Sequence, residues 1–202
     1  YGICNETFGN WSLKQSCEFA AESGYSGIEI APFTLGEDPH QLSSNQRDDL
    51  RRIIAQAGLE CIGLHWLLAK TEGFHVTSPD KSTRVQTIAY LTELTRLCRD
   101  LGGKTLVFGS PHQRSLMANV TKDDADLFLE EVFGALIPVL EETDTVLALE
   151  PLSPVETDVL TTAAETRNII DSIGSPHIKL HLDVKAMASE NQSIPEIIHA
   201  SA

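Results

Sequence analysis

Two acidic residues, Glu150 and Asp183, each end a short apolar segment. Val-Leu-Ala-Leu precedes Glu150, and Ile-Lys-Leu-His-Leu precedes Asp183. A buried carboxylate is costly unless it meets a metal, a basic partner or a proton. Hard divalent cations take oxygen ligands, and Mg2+ often uses only one or two carboxylates with water and substrate. The pair therefore predicts a divalent-metal site, with helix N-capping or turn formation as the alternative interpretation of each residue.

Three further polar residues are candidates for binding a substrate. Glu156 lies six residues after the first carboxylate and is predicted to hydrogen-bond a substrate hydroxyl, or else to be a solvated loop acid. His65 ends an apolar segment, which suits substrate contact or a satisfied core histidine equally well. His112 lies in a polar turn at 109–114 that can cradle a ligand, although loop histidines are often merely exposed.

Other residues near these positions have a stronger structural interpretation. His181 precedes Asp183 by two positions and should share its strand face; we favour a packed barrel residue over a partner of the carboxylates. Trp11 and Trp66 can stack on a sugar, but core packing is the commoner use of such aromatic side chains.

Six short apolar runs alternate with longer amphipathic stretches along the chain. The runs are predicted strands at 2–4, 27–30, 59–64, 105–108, 146–149 and 178–182. Their continuous apolar character is typical of strands buried on both faces of a parallel sheet. Helical periodicity predicts helices at 12–23, 45–57, 82–101, 123–142 and 162–173, and a last one that begins near Pro195. Pro138 should kink or split the fourth of these helices.

The repeated βα pattern predicts one α/β domain over residues 1–202 with a parallel sheet. A doubly wound sheet and a (β/α)8 TIM barrel are the competing architectures. No glycine-rich phosphate fingerprint follows the first strand, where Asn5–Gly9 stands instead. Polar residues follow nearly every predicted strand, which favours the barrel. Six βα units cannot close an eight-stranded barrel, so we expect that two further units follow Ala202 in the intact protein.

Composition restricts the classes of partner. The formal net charge of -14 makes nucleic acid and anionic membranes poor partners. No apolar run approaches the ~18 residues of a membrane span. The four cysteines lack the CxxC spacing of zinc or redox sites, and buried free thiols in a cytoplasmic protein are the simplest interpretation.

Four segments resemble the xylose isomerase-like barrel superfamily, and most closely its sugar phosphate isomerase/epimerase group, which includes D-tagatose 3-epimerase-like and hydroxypyruvate isomerase-like enzymes. They are Gly-Ile-Glu-Ile at 27–30, Leu-Val-Phe-Gly-Ser-Pro at 106–111, Leu-Ala-Leu-Glu-Pro at 147–151 and His-Leu-Asp at 181–183. The resemblance implies one divalent cation, Mn2+, Mg2+ or Co2+ with Zn2+ as a further option, held by Glu, Asp, His and Glu. Glu150 and Asp183 match the first two ligands, and Glu156 matches a substrate-binding glutamate.

The resemblance further implies a metal-dependent isomerase or epimerase that converts a ketose or related small sugar, phosphorylated or not, through an enediolate. Glu150 would then be both a metal ligand and the catalytic base. The chain departs from the epimerases at Ala186, where they carry a substrate-binding histidine. An AP endonuclease IV-like metal nuclease and a non-catalytic barrel that binds a sugar or cyclitol are the alternatives. The oligomeric state, including a homo-oligomer, is left open.

Overall fold

The computed structural model describes residues 1–201 and contains one six-stranded sheet. The strands are β1 (Gly2–Cys4), β2 (Gly27–Ile30), β3 (Glu60–His65), β4 (Thr105–Phe108), β5 (Val146–Leu149) and β6 (Ile178–Leu180). All neighbouring pairs are parallel, and the strand order is sequential from β1 to β6. This order is that of a TIM barrel and excludes a doubly wound sheet, in which the order reverses.

At least one helix follows every strand. They are α1 (Leu13–Glu22), α2 (Ser44–Gln56), α3 (Lys81–Leu101), α4 (Lys122–Gly134), α5 (Ile137–Thr143), α6 (Ala163–Ile173), α7 (Val184–Met187) and α8 (Ile194–Ser201). The predicted helix at 123–142 is split into α4 and α5, with Pro138 in the first turn of α5. Short 3₁₀ turns at 5–8, 32–35 and 39–41, and the one-turn helix α7, are too short to show a helical period in the sequence.

The helix ends follow from local capping chemistry. Ser12, Ser43 and Thr121 each accept a backbone N–H three residues later and complete a capping box. Ser193 binds Glu196 in the manner its sequence pattern predicts, with the hydroxyl 2.6 Å from the carboxylate. These contacts fix where helices begin, and hence where the loops after the strands must end.

The main core lies between the sheet and the helices that cover it. Phe108 of β4 meets Phe133 of α4 edge-to-face, with ring centroids 5.0 Å apart, and both side chains are fully buried. Gly63 lies so close to β4 that a Cβ there would be 1.8 Å from the Thr105 carbonyl oxygen. Within residues 1–201, β1 and β6 each pair with a single strand, so the barrel is open between them.

The cysteines are free, as predicted: Cys17, Cys61 and Cys98 are buried and Cys4 is half-buried. Among residues 1–201, no helix has both the length and the apolar composition that a membrane crossing requires.

Candidate active site

Glu150 directly follows β5, and its side chain is less exposed than that of Glu156. Its backbone N–H donates to the Phe108 carbonyl at 3.2 Å, and its side chain is 15% exposed. The carboxylate lies over Gly109, where a Cβ would be 1.9 Å from Glu150 Oε2. A glycine at the end of β4 is therefore what leaves room for this carboxylate at the end of β5.

The surroundings of Glu150 hold its pKa above the usual range. Burial is the largest cause, and the negative charge of Asp183 adds to it. The positive charges of His181 and Arg114 oppose the shift without cancelling it. His181 Nε2 lies 3.8 Å from Glu150 Oε1 and its side chain is 40% exposed, so the interpretation of His181 as a packed barrel residue is wrong.

Arg114 ties the turn after β4 to the ends of two strands. Its guanidinium is fully buried and donates to three backbone carbonyls: that of Glu150 at 2.7 Å, that of Phe108 at 2.9 Å and that of Ser110 at 3.2 Å. Burial lowers the Arg114 pKa to about 10, and the charge of Glu150 counteracts this. Arg114 is the positioning residue that the sequence does not reveal, because nothing in the local pattern separates a buried arginine from an exposed one.

Asp183 lies three residues after the end of β6 and caps α7. Its Oδ2 accepts the backbone N–H of Ala186 at 2.9 Å, so the alternative interpretation as a helix cap applies. Oδ1 is not engaged in this cap, and Asp183 and Glu150 follow the adjacent parallel strands β6 and β5 at the same end of the sheet. A residue can both cap a helix and offer its second oxygen to a cation.

Glu156 lies in the loop after β5 and is held by two partners. Lys185 Nζ donates to its Oε1 at 2.6 Å, and Ser153 Oγ donates to its Oε2 at 2.7 Å. These two hydrogen bonds lower the pKa of Glu156, which is therefore ionised at neutral pH. The ion pair links this loop to α7, and Glu156 is not a freely solvated acid.

The two predicted histidines have different surroundings. The ring of His65 is 8% exposed and lies between two carboxylates, with Nε2 2.9 Å from Glu6 Oε2 and Nδ1 3.5 Å from Glu29 Oε2. His112 is exposed on the turn between β4 and α4. The structure thus brings His65, but not His112, into a cluster of ionisable side chains at the strand ends.

Trp66 follows His65 with a φ of 52°, in the left-handed region that bulky residues rarely adopt. Its indole is 44% exposed, and Cδ1 lies 3.8 Å from where a Cβ on Gly109 would be. Trp11 is also half-exposed, so core packing is wrong for both tryptophans. Trp66 instead presents an aromatic edge beside the Glu150 position.

Comparison with known proteins agrees with the barrel fold. Residues 17–201 match the model of the family described as xylose isomerase-like TIM barrel. The chain belongs to this family. A probable ketose 3-epimerase from Synechocystis sp. is 27% identical over 173 residues, which cover 85% of this chain and 56% of that protein. The chain thus spans little more than half the length of this curated relative.

Solved structures of other proteins share the fold. A D-psicose 3-epimerase crystallised with D-fructose superposes with a TM-score of 0.85 at 19% identity, over 100% of this chain and 69% of that one. The D-psicose 3-epimerase of Clostridium cellulolyticum H10, crystallised with D-tagatose, gives 0.84 at 20% identity, over 99% and 68%. These likenesses establish the backbone architecture on which the strand-end carboxylates stand.

The donor set fits a hard divalent cation. Glu150 and Asp183 follow the adjacent strands β5 and β6, and both offer carboxylate oxygens. The raised pKa of Glu150 means that its negative charge is not fully compensated by the side chains around it. A dication bound by the pair would supply that compensation.

Proposed function

We propose that this chain carries the larger part of a metal-dependent sugar isomerase or epimerase, whose substrate is a ketose or related small sugar. The observation that carries the proposal is the largely buried Glu150 carboxylate at the end of β5. The carboxylate has room there because residue 109 is glycine and has no side chain. Active sites of TIM barrels lie at the carboxyl ends of the strands, which is where Glu150 and Asp183 stand. The names of the relatives, a probable ketose 3-epimerase and two D-psicose 3-epimerases, support the substrate class.

Glu150 has two roles in the proposed reaction. It binds the cation together with Asp183, and it takes the proton from the carbon beside the sugar carbonyl, which leaves an enediolate. A bound Mn2+, Mg2+ or Co2+ acts as a Lewis acid that stabilises negative charge on the sugar oxygens.

Glu156 is proposed to bind a sugar hydroxyl as an ionised acceptor. Its partner Lys185 extends from α7, so the pair fixes the loop after β5 against the helix that Asp183 caps. His112 is exposed and free to contact substrate from the turn after β4. His65 is buried between two carboxylates, and this burial disfavours the predicted contact between His65 and the sugar.

The experiment is hydrogen exchange catalysed by the intact protein in D2O with Mn2+ and a panel of ketoses and ketose phosphates. We expect deuterium at the carbon beside the carbonyl of the substrate. Glu150→Gln should reduce this exchange by at least the ~10²–10⁴ that a positioned base contributes.

Glu141→Gln is the matched control, because it makes the same change on an exposed position of α5. It should leave the exchange rate unchanged. Exchange that persists in Glu150→Gln, or that never appears with any member of the panel, would contradict the proposed role.

A further inference from the structure

A second group of potential ligands lies at the ends of β1 and β3. Cys4 is the last residue of β1, Glu6 is in the 3₁₀ turn that follows, and His65 is the last residue of β3. One donor atom from each of the three lies within 4.8 Å of the other two. Sixty residues of sequence separate the outer members, so only the parallel pairing of β1, β2 and β3 brings them together.

Three polar atoms of this group lack an aligned hydrogen-bond partner among the described residues. Both ring nitrogens of His65 and Oε2 of Glu6 are buried, and none has an aligned partner, even though Nε2 and Oε2 are 2.9 Å apart. Leaving a buried polar atom unpaired costs about 1–3 kcal/mol. Three such atoms at one point indicate that something else binds there.

Cys4, Glu6 and His65 supply a sulfur, an oxygen and a nitrogen, which together suit zinc. Zinc takes Cys, His and carboxylate ligands, and sites with three protein ligands keep a fourth position open. Bond lengths of about 2.0–2.3 Å in a tetrahedral site place donor atoms roughly 3.3–3.7 Å apart. His65 Nε2 and Glu6 Oε2 are 2.9 Å apart, and all three donor atoms lie within 4.8 Å of one another, so small side-chain movements would bring them into that range.

Glu29 completes the arrangement from the middle strand. Its Oε2 lies 3.5 Å from His65 Nδ1 and accepts the Cys4 thiol at 3.3 Å. A carboxylate on one imidazole nitrogen commonly orients the other nitrogen toward a metal. His65 Nε2 is the nitrogen that faces Glu6, so Glu29 is placed to act in this way.

We propose that Cys4 Sγ, Glu6 Oε2 and His65 Nε2 form a zinc site with an open fourth position, and that Glu29 orients His65 through Nδ1. The site uses neither Glu150 nor Asp183, and the proposal does not depend on the proposed activity. Without a cation, burial first and the charges of Glu29 and Glu6 next raise the pKa of the Cys4 thiol. A bound dication favours the thiolate and reverses that effect.

Co2+ is the probe, because a thiolate ligand gives it a charge-transfer absorption band in the near ultraviolet. We expect the metal-free intact protein to develop this band on titration with Co2+, and Zn2+ to remove it by competition. Cys4→Ser should abolish the band, whereas Cys17→Ala, which alters a buried cysteine of α1, should keep it. Far-ultraviolet circular dichroism verifies that each variant is folded.

Two further variants separate this site from the others. Glu29→Gln should keep the band and weaken Zn2+ binding about 10–100-fold, the usual effect of removing such an orienting group. Glu150→Gln should keep the band as well, whatever it does to hydrogen exchange on a ketose. The proposal is overturned if Co2+ binds without the band, if the band survives Cys4→Ser, or if it disappears in Glu150→Gln. It is also overturned if NMR shows His65 as an imidazolium between Glu6 and Glu29 that does not respond to Zn2+.

Discussion

At the residue scale, the carboxylates at the strand ends are in unequal states. Burial raises the pKa of Glu150, whereas hydrogen bonds from Lys185 and Ser153 lower the pKa of Glu156. Two carboxylates whose environments separate their pKa values are suited to different tasks. In the proposed reaction Glu150 accepts a proton, and Glu156 remains an anion that accepts hydrogen bonds.

Glu150→Gln is expected to stabilise the metal-free fold at neutral pH. A carboxyl whose pKa is raised in the folded state destabilises that state above its folded pKa, and this penalty is absent below its ordinary pKa of ~4.3. Glutamine resembles the protonated form, so Tm should rise by about 2–4 °C near pH 7, the shift that ~1 kcal/mol produces in a domain of this size. The gain should vanish in acid.

With Mn2+ present, the parent protein should become more stable than Glu150→Gln, because a ligand that binds only the folded state stabilises that state. The parent protein should gain Tm with added Mn2+ and Glu150→Gln should not. Thermal melts by circular dichroism with and without Mn2+ check both statements. If Glu150→Gln is instead less stable than the parent at pH 7 without metal, the attraction between Arg114 and the Glu150 carboxylate stabilises the fold by more than the burial of that carboxylate destabilises it.

At the element scale, the site depends on how β4 and β5 end side by side. Arg114 binds the backbone at both strand ends, and residue 109 has no side chain, so the Glu150 carboxylate can lie across the end of β4. The strand pairing fixes the backbone, and the absence of one methyl group fixes the position of the carboxylate.

Gly109→Ala should therefore damage the site and spare the fold. The new Cβ would lie 1.9 Å from Glu150 Oε2, and the flexible carboxylate can move away at little cost to packing. We expect Mn2+ affinity to fall about tenfold or more, as when a ligand loses its orientation, with Tm within a few degrees of the parent.

Gly134→Ala is the matched control, since a Cβ there meets no atom within 4 Å. Isothermal titration with Mn2+ measures the difference between the two variants. Equal affinities would show that Glu150 does not need the space above Gly109.

At the scale of the whole molecule, the sheet of residues 1–201 is open, with β1 and β6 as unpaired edges. Unpaired strand edges can pair with other chains. The formal net charge of -14 opposes such pairing through repulsion between copies, and salt screens that repulsion.

The 202-residue chain alone should therefore self-associate, and more strongly at high than at low ionic strength. Sedimentation velocity at several protein and salt concentrations measures this directly. A monomer at every concentration and salt level would show that the two edges are protected within the chain itself.

The sequence predicts most of the regular structure because the determining signals are local. Continuous apolar runs marked the six strands, and β6 alone is shorter than predicted, ending at Leu180. Ser193 and Glu196 predicted the start of α8, and Pro138 predicted the break between α4 and α5. The short helix α7 was not predicted, since four residues carry no period.

The sequence by itself determined the repeated βα pattern of a parallel sheet and the candidate carboxylates that follow its strands, because both depend on the order of local segments, and it favoured the barrel that the strand order then confirmed. Only the tertiary structure decided what surrounds each side chain. The burial of Arg114, the exposure of His181 and the meeting of Cys4 with His65 depend on strand register and on contacts across tens of residues. Such contacts leave no periodic trace in a single chain, because they arise from packing between segments rather than from the preferences of neighbouring residues.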